Sequence, residues 1–257
     1  MVQSPQERLG RRFDLGVLVG AWAFLFLLHP PPEVLWFDYA WIAYNLLPLP
    51  LTPTGMWEAI RWQATVHSPQ LARPARAVQW WLAVKALGCG PLGYHVANVL
   101  TLGVAAWALV RVAWELTGRR SAAALVGACM VVSYATAFSV LFFGYGQPAA
   151  FAFAALALWL HAERRAPRRW WWQAGAAILL FGAALSHETY LAYALLPLAH
   201  AALVERSRAA VGRALVFAAV LPGYVLVRQV QSSLFGTAPS WLLTMLAGVR
   251  DSPGILL

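Results

Sequence analysis

Side chains able to do acid–base or ligand chemistry are scarce in this sequence, so their positions carry information. The 257 residues include ten Asp and Glu and six His, against nineteen Lys and Arg. Glu7, Asp14, Glu115, Glu163 and Glu205 lie near arginines, where solvated pairing accounts for them. Glu33, Asp38, Glu58, Glu188 and Asp251 remain. Asp38 stands in Trp36-Phe37-Asp38-Tyr39-Ala40-Trp41-Ile42, and partial desolvation among aromatic rings suits a carboxylate to general-base work. A helix N-cap or an interfacial counter-ion would explain the same residue more plainly. His187-Glu188 sits in a polar turn between two short apolar runs, able to pair with a phosphate-binding arginine or to hold an acceptor. Arg73, by a bidentate fork, and His95, by a hydrogen bond, are suited to an anionic lipid head group; an interfacial residue and a helix-cap contact are the simpler alternatives. His29, His67, His161 and His200 have no ligand spacing. Cys89 and Cys129 fall in no Cys-x-x-Cys or Cys/His pattern and read as small packing residues. Gly144-Tyr145-Gly146-Gln147-Pro148 lacks the Gly-Lys-Ser/Thr ending of a phosphate loop and reads as a tight turn.

The elements that must position these groups are apolar. Hydrophobic residues make up 61% of the chain and charged ones 11%, and mean hydropathy is +0.61, too little charge to cover a water-facing surface. The net charge of +9 sits in short clusters between apolar runs. That pattern belongs to cytoplasmic membrane loops and not to a nucleic-acid groove. The expected fold is all-α, a polytopic transmembrane bundle of about seven spans, some short, in one domain. A first span covers 13–28, an outer loop 29–91, the remaining spans 92–228, and an outer or interfacial tail 229–257. The later runs are Leu92–Leu116, Ala122–Phe143, Ala149–Leu160, Gln173–Leu185, Tyr190–Val204 and Ala214–Val227. No small-x-small cleavage site follows the first run. An N-terminus on the cytoplasmic side places thirteen of the nineteen basic residues inside. Arginine- and alanine-rich usage points to a bacterial inner membrane.

The 29–91 loop is too long for a connector and carries five tryptophans before Trp81. Thr54 or Gly55 is expected to cap a helix Met56–Val66 with Glu58 in its first turn. Ser68-Pro69 suggests a second start, followed by Ala77, Trp80/Trp81, Val84 and Leu87 at helical spacing. Two amphipathic helices on the outer leaflet follow from this.

The order of motifs is similar to that of the GT-C superfamily of membrane glycosyltransferases, most nearly its protein O-mannosyltransferase-like and tetratricopeptide-coupled branch. The residues that carry the resemblance are Phe37-Asp38-Tyr39-x-x-Ile42-x-x-Asn45, Arg73-Pro74, Gly90-Pro91-Leu92-Gly93-Tyr94-His95-Val96-Ala97-Asn98, and Ser186-His187-Glu188-Thr189. Three features depart from that branch. Its acidic pair is reduced to Asp38-Tyr39, which bears on whether a divalent metal is bound. His187 replaces a lysine in the turn, and the chain is shorter than those enzymes. The resemblance implies transfer of a sugar from a polyprenyl-phosphate-linked donor to a protein or glycan acceptor on the outer face, with inversion. Asp38 would be the base, and Arg73, His95, Asn98, His187 and Glu188 would bind donor phosphate or substrate. Membrane lipids are the expected surroundings and nucleic acid is not a partner. A non-catalytic accessory subunit of cell-envelope assembly is the alternative, and a lipid-linked substrate transporter a more distant one, since no internal repeat is present.

Overall fold

The computed structural model describes residues 5–28, 37–67, 73–88, 90–132, 147–162 and 170–235, and every regular element among them is helical. The spine is α5 (Pro91–Thr117). Extended Gly90 precedes Pro91 at the first helical position, where no N–H is needed, and Gly118 closes the helix with a left-handed φ of 68°. At 1.5 Å per residue α5 is about 40 Å long. Helix α1 (Pro5–Leu28) lies antiparallel to it. The Phe13 ring meets Trp114 at 5.0 Å near one end, and Phe26 meets His95 at 5.4 Å near the other. We call the end holding Pro91 upper. Between the two contacts, Trp22 Nε1 donates to the Leu100 carbonyl at 3.0 Å. Gly103 makes this possible, because a Cβ there would fall 2.1 Å from the Trp22 indole.

Behind α5 stand α6 (Arg120–Val132), α7 (Gln147–Ala162) and α8 (Trp170–Ser186). Their seams are built from alanine. Ala105, Ala106 and Ala108 of α5, Ala152, Ala154 and Ala155 of α7, and Ala176, Ala183 and Ala184 of α8 are all buried. Small side chains let helix backbones approach closely, so dispersion and not bulk holds these seams.

The upper end carries a second layer: α2 (Phe37–Leu46), α3 (Pro53–Trp62) and α4 (Pro74–Leu87). Ile42, Leu46, Ala59, Trp80, Trp81, Val84 and Tyr94 form its core. Three expectations are corrected here. The first loop helix starts at Pro53 and not Met56. Thr52 is its cap, its hydroxyl accepting from the Gly55 amide at 3.3 Å, and Gly55 is pressed so close to the Pro50 carbonyl that a Cβ would lie 1.9 Å from that oxygen. Glu58 therefore sits beyond the first turn, paired with Arg61 at 2.7 Å. Secondly, α4 starts at Pro74, and Ser68-Pro69 lies outside the described residues. Thirdly, α4 does not present its tryptophans to a lipid surface: Trp80 is 0% and Trp81 5% exposed, because α4 is enclosed by α2, α3 and α8. Truncating Trp80 would cost about 3–5 kcal/mol. Trp57 of α3 does face outward.

After Ser186 the chain forms a 3₁₀ helix (Glu188–Ala194), α9 (Leu195–His200) and a π-turn (Ala201–Glu205) closed by Arg206 at φ 50°. Helices α10 (Arg208–Ala218) and α11 (Val220–Phe235) then rise end to end, and the Phe235 ring meets Trp57 at 5.6 Å, tilted by 34°, at the upper end. Two stretches, Pro91–Thr117 and Ala210–Phe235, are long and apolar enough to cross a membrane. Leu15–Leu28, Arg120–Val132, Pro148–Ala162 and Trp171–Ser186 are apolar but shorter, falling below the ~20 residues that span a hydrocarbon core unaided. The expected continuation of α6 to Phe143 lies outside the described residues. Cys129 is exposed on α6, so it is not the packing residue expected; Cys89 lies outside the described residues.

Candidate functional site

The upper end of α4 begins with a hydrogen bond that fixes its position. The Arg73 amide donates to Gln63 Oε1 at 2.7 Å, and Gln63 is itself fully buried in the π-turn that extends α3. With its backbone held, Arg73 projects its guanidinium toward the turn after α8. There Nε meets Glu188 Oε2 at 3.0 Å and Nη2 meets Oε1 at 2.7 Å. This is the paired fork geometry that arginine alone provides. It joins residues 115 apart in sequence, with side chains only 12% and 18% exposed. A neighbouring bond, Gln79 Nε2 to Ser186 Oγ at 3.1 Å, fastens α4 to the end of α8 a second time.

Two further arginines belong to the same end. Arg76, one turn on from Arg73, is 4% exposed, and its guanidinium carbon lies 4.3 Å from the Trp80 ring centre, well within cation–π range. Arg228 of α11 is 6% exposed and lies 6.0 Å from the Tyr224 ring. Tyr224 in turn stands in the electrostatic field of Arg228, Glu188 and Arg73. Of the other described carboxylates, Glu58 pairs with Arg61, Glu115 with Arg111, and Glu205 with His200. Glu188 is thus the described carboxylate committed to this cluster.

The turn is chemically tuned. Burial lowers His187 from its usual 6.5, and the charges of Arg73 and Arg76 lower it further, against a smaller opposing pull from Glu188. Its Nδ1 faces the Thr189 hydroxyl at 2.9 Å and accepts from the Thr189 amide at 3.5 Å. The proton of the neutral ring is thereby assigned to Nε2. Burial pushes the Glu188 carboxyl up, but the hydrogen bonds from Arg73 and from its own backbone amide, with the Arg73 charge, reverse this and hold it below 4.5. The result is an ionised carboxylate beside a neutral imidazole.

Set against family models, curated proteins and solved structures, the chain matches none.

Of the residues singled out in the sequence, the structure brings together Arg73, His187 and Glu188. His95 is buried in the first turns of α5, and the ring contact recorded for it is with Phe26 of α1. Asn98, one turn further on, is also buried. Asp38 lies on α2 in the same upper layer, but its side chain lies outside what is described. Among the described residues no group of three His, Cys, Asp or Glu side chains could hold a metal ion. Sequence reasoning missed Gln63, Arg76, Gln79, Tyr224 and Arg228. For α11 a signal was present: Tyr224, Arg228 and Gln231 recur at i, i+4 and i+7 within an apolar run, and all three are buried. A polar stripe in an apolar helix marks a face turned toward other polar groups.

Proposed function

We propose that the chain is a polytopic membrane protein and a glycosyltransferase of the GT-C type. On this reading it transfers a sugar from a polyprenyl-phosphate-linked donor to an acceptor hydroxyl at the upper end. The membrane part is supported by the outward faces of the helices. Leu15, Leu27, Ile178, Leu215 and Leu226 are each more than half exposed, a density of bare apolar side chains that water does not tolerate. The short helices α6, α7 and α8, with α1, α5, the segment 190–204 and α10–α11, make the seven-span bundle. The Arg-rich lower end then faces the cytoplasm of a bacterial cell.

The observation that carries the chemistry is the Arg73–Glu188 fork, because it unites the Arg-Pro and Ser-His-Glu-Thr segments on which the resemblance rests. Glu188 uses two donors of Arg73 and so orients the guanidinium, leaving its remaining N–H groups for a phosphate oxygen. Arg76 and Arg228 add positive charge to the same end, where a departing polyprenyl phosphate would be stabilised. Asp38 would take the acceptor hydroxyl proton as the oxygen bonds to the anomeric carbon and the carbon–phosphate oxygen bond breaks, inverting that centre.

The test is reconstitution in vesicles with a polyprenyl-phosphate hexose and hydroxyl acceptors. Asp38→Asn is expected to lower turnover by ~10²–10⁴-fold with donor binding retained, and Arg73→Ala to weaken donor binding, with only partial recovery in Arg73→Lys. Glu58→Gln, on an exposed pair, should leave both unchanged. Donor bound without any turnover would favour an accessory subunit, and full activity in Asp38→Asn would remove the assigned base.

A further inference from the structure

At the lower end, opposite the arginine cluster, α5, α7 and α9 leave a cavity of about 360 Å³ between them. This lies within the ~300–1,000 Å³ typical of ligand sites. Its wall is apolar, with Val112, Leu116, Leu158, Leu196 and Leu203 among the lining residues, and two imidazoles, His161 and His200, set into it. Their rings meet edge to face at 6.3 Å. His161 Nδ1 meets Gln173 Oε1 at 2.9 Å, and His200 Nδ1 lies 3.4 Å from Glu205 Oε1.

The cavity is open at one lip. Leu203 and Val204 are 71% and 69% exposed, carried outward on the π-turn Ala201–Glu205 that ends α9. Directly beyond that lip come Arg206 and Arg208, both exposed. Arg206 has a left-handed backbone, and its Nε donates to the Leu203 carbonyl at 3.2 Å, which keeps this guanidinium at the lip; Arg208 follows two residues on. A chain-sized apolar slot that is open at one lip and bordered there by guanidinium groups matches one kind of molecule, a lipid with a hydrocarbon tail and a negative head.

We infer that this is a binding site for an anionic phospholipid of the leaflet at the lower end. One acyl chain occupies the slot between α5, α7 and α9, and the phosphate rests on Arg206 and Arg208. Basic pockets between membrane helices on the cytoplasmic side recognise anionic head groups in this way. The site rests on the membrane placement proposed above and is independent of the transferase chemistry.

The experiment is native mass spectrometry of the full chain released from detergent micelles carrying equal amounts of phosphatidylglycerol and phosphatidylcholine with matched chains. Wild type should retain phosphatidylglycerol preferentially. Arg206→Gln/Arg208→Gln, two exposed changes that leave the bundle intact, should lose that preference by roughly 30-fold, from the ~1 kcal/mol that each surface cation contributes. Ala199→Trp, which fills the slot, should lower retention of both lipids, its helix content and melting being compared with wild type. Glycerol phosphate added in excess should not displace the lipid, since it lacks the tail; displacement would identify a plain phosphate site and overturn the proposal. Equal retention of the two lipids by wild type would also overturn it, as would an unchanged preference in the double variant. A chain recovered in water without detergent would overturn the membrane placement itself, a result distinct from either.

Discussion

The Arg73–Glu188 fork should be measurable as a coupling energy. Consider the cycle Arg73→Met, Glu188→Met and the double variant. Two charge-assisted hydrogen bonds, at 3.0 and 2.7 Å, connect side chains 12% and 18% exposed. Removing one member of a fully buried pair costs ~3–5 kcal/mol. The residual exposure lets water reach the orphaned group, so each single variant should lose about 2–3 kcal/mol. In the double variant two apolar side chains of similar length face each other, so it should lose no more than either single variant, about 2–3 kcal/mol where additivity would give ~4–6, a coupling of at least about 2 kcal/mol. The cycle is clean in one respect: the Arg73 amide bond to Gln63 comes from the backbone and survives any side-chain change. Reversible denaturant unfolding in mixed micelles, followed by helical circular dichroism, supplies the four stabilities. A coupling below ~0.5 kcal/mol, within ordinary additivity, would mean the fork is not formed in the folded protein. The reasoning about how α4 and α8 are joined would then fail.

Three other outcomes are expected. The folded protein should lose stability on acidification. Because His187 is held below 6.5, the unfolded chain binds its proton first, so the loss begins as pH falls through about 6.5 and ends once the folded group titrates. Glu188, held below 4.5, adds a further loss beneath that value, and a melting temperature that is level from pH 8 to 4, or falls identically in His187→Asn, would contradict this. Gly103→Ala places a methyl 2.1 Å from the Trp22 indole and should destabilise the α1–α5 seam by ~1–3 kcal/mol; relief by Trp22→Leu checks the cause, and an unperturbed melt in Gly103→Ala refutes it. Reporter fusions after Arg120 and Arg169 should score cytoplasmic and one near Thr65 external, with an external signal at Arg169 ruling out the proposed orientation.

Helix bounds were legible where local chemistry dictates them. Gly90-Pro91 and Gly118 bracket α5 within one residue of the expected apolar run, because a proline start and a left-handed glycine stop act without tertiary help. The loop helices were less legible. Thr54 and Gly55 resemble caps, but the helix starts at Thr52-Pro53, where the Thr52 hydroxyl takes the Gly55 amide and proline needs no partner; with Thr52, Thr54 and Gly55 all able to cap, local sequence does not choose among them. Trp80 and Trp81 were expected at an interface because helical spacing identifies a face but not what covers it. Arg73 and the His187-Glu188 turn were visible separately as candidates. Their alignment depends on Gln63 fixing the start of α4 and Gln79 holding Ser186, and such bonds between distant segments leave no periodic trace.

The separation of the two halves of the fork also has a consequence for synthesis. Arg73 is made well before Glu188, and at ~5–20 residues per second their separation of 115 residues occupies roughly 6–23 s of translation. For that interval the upper layer has its anchoring arginine but not the carboxylate that locks it, while α5, α6, α7 and α8 are being delivered one after another. Closing the fork is therefore a late event that records the arrival of the turn after α8. A ribosome stalled before residue 188 should leave α4 undocked, a state that crosslinking between the faces of α4 and α8 would register as the missing last step of assembly.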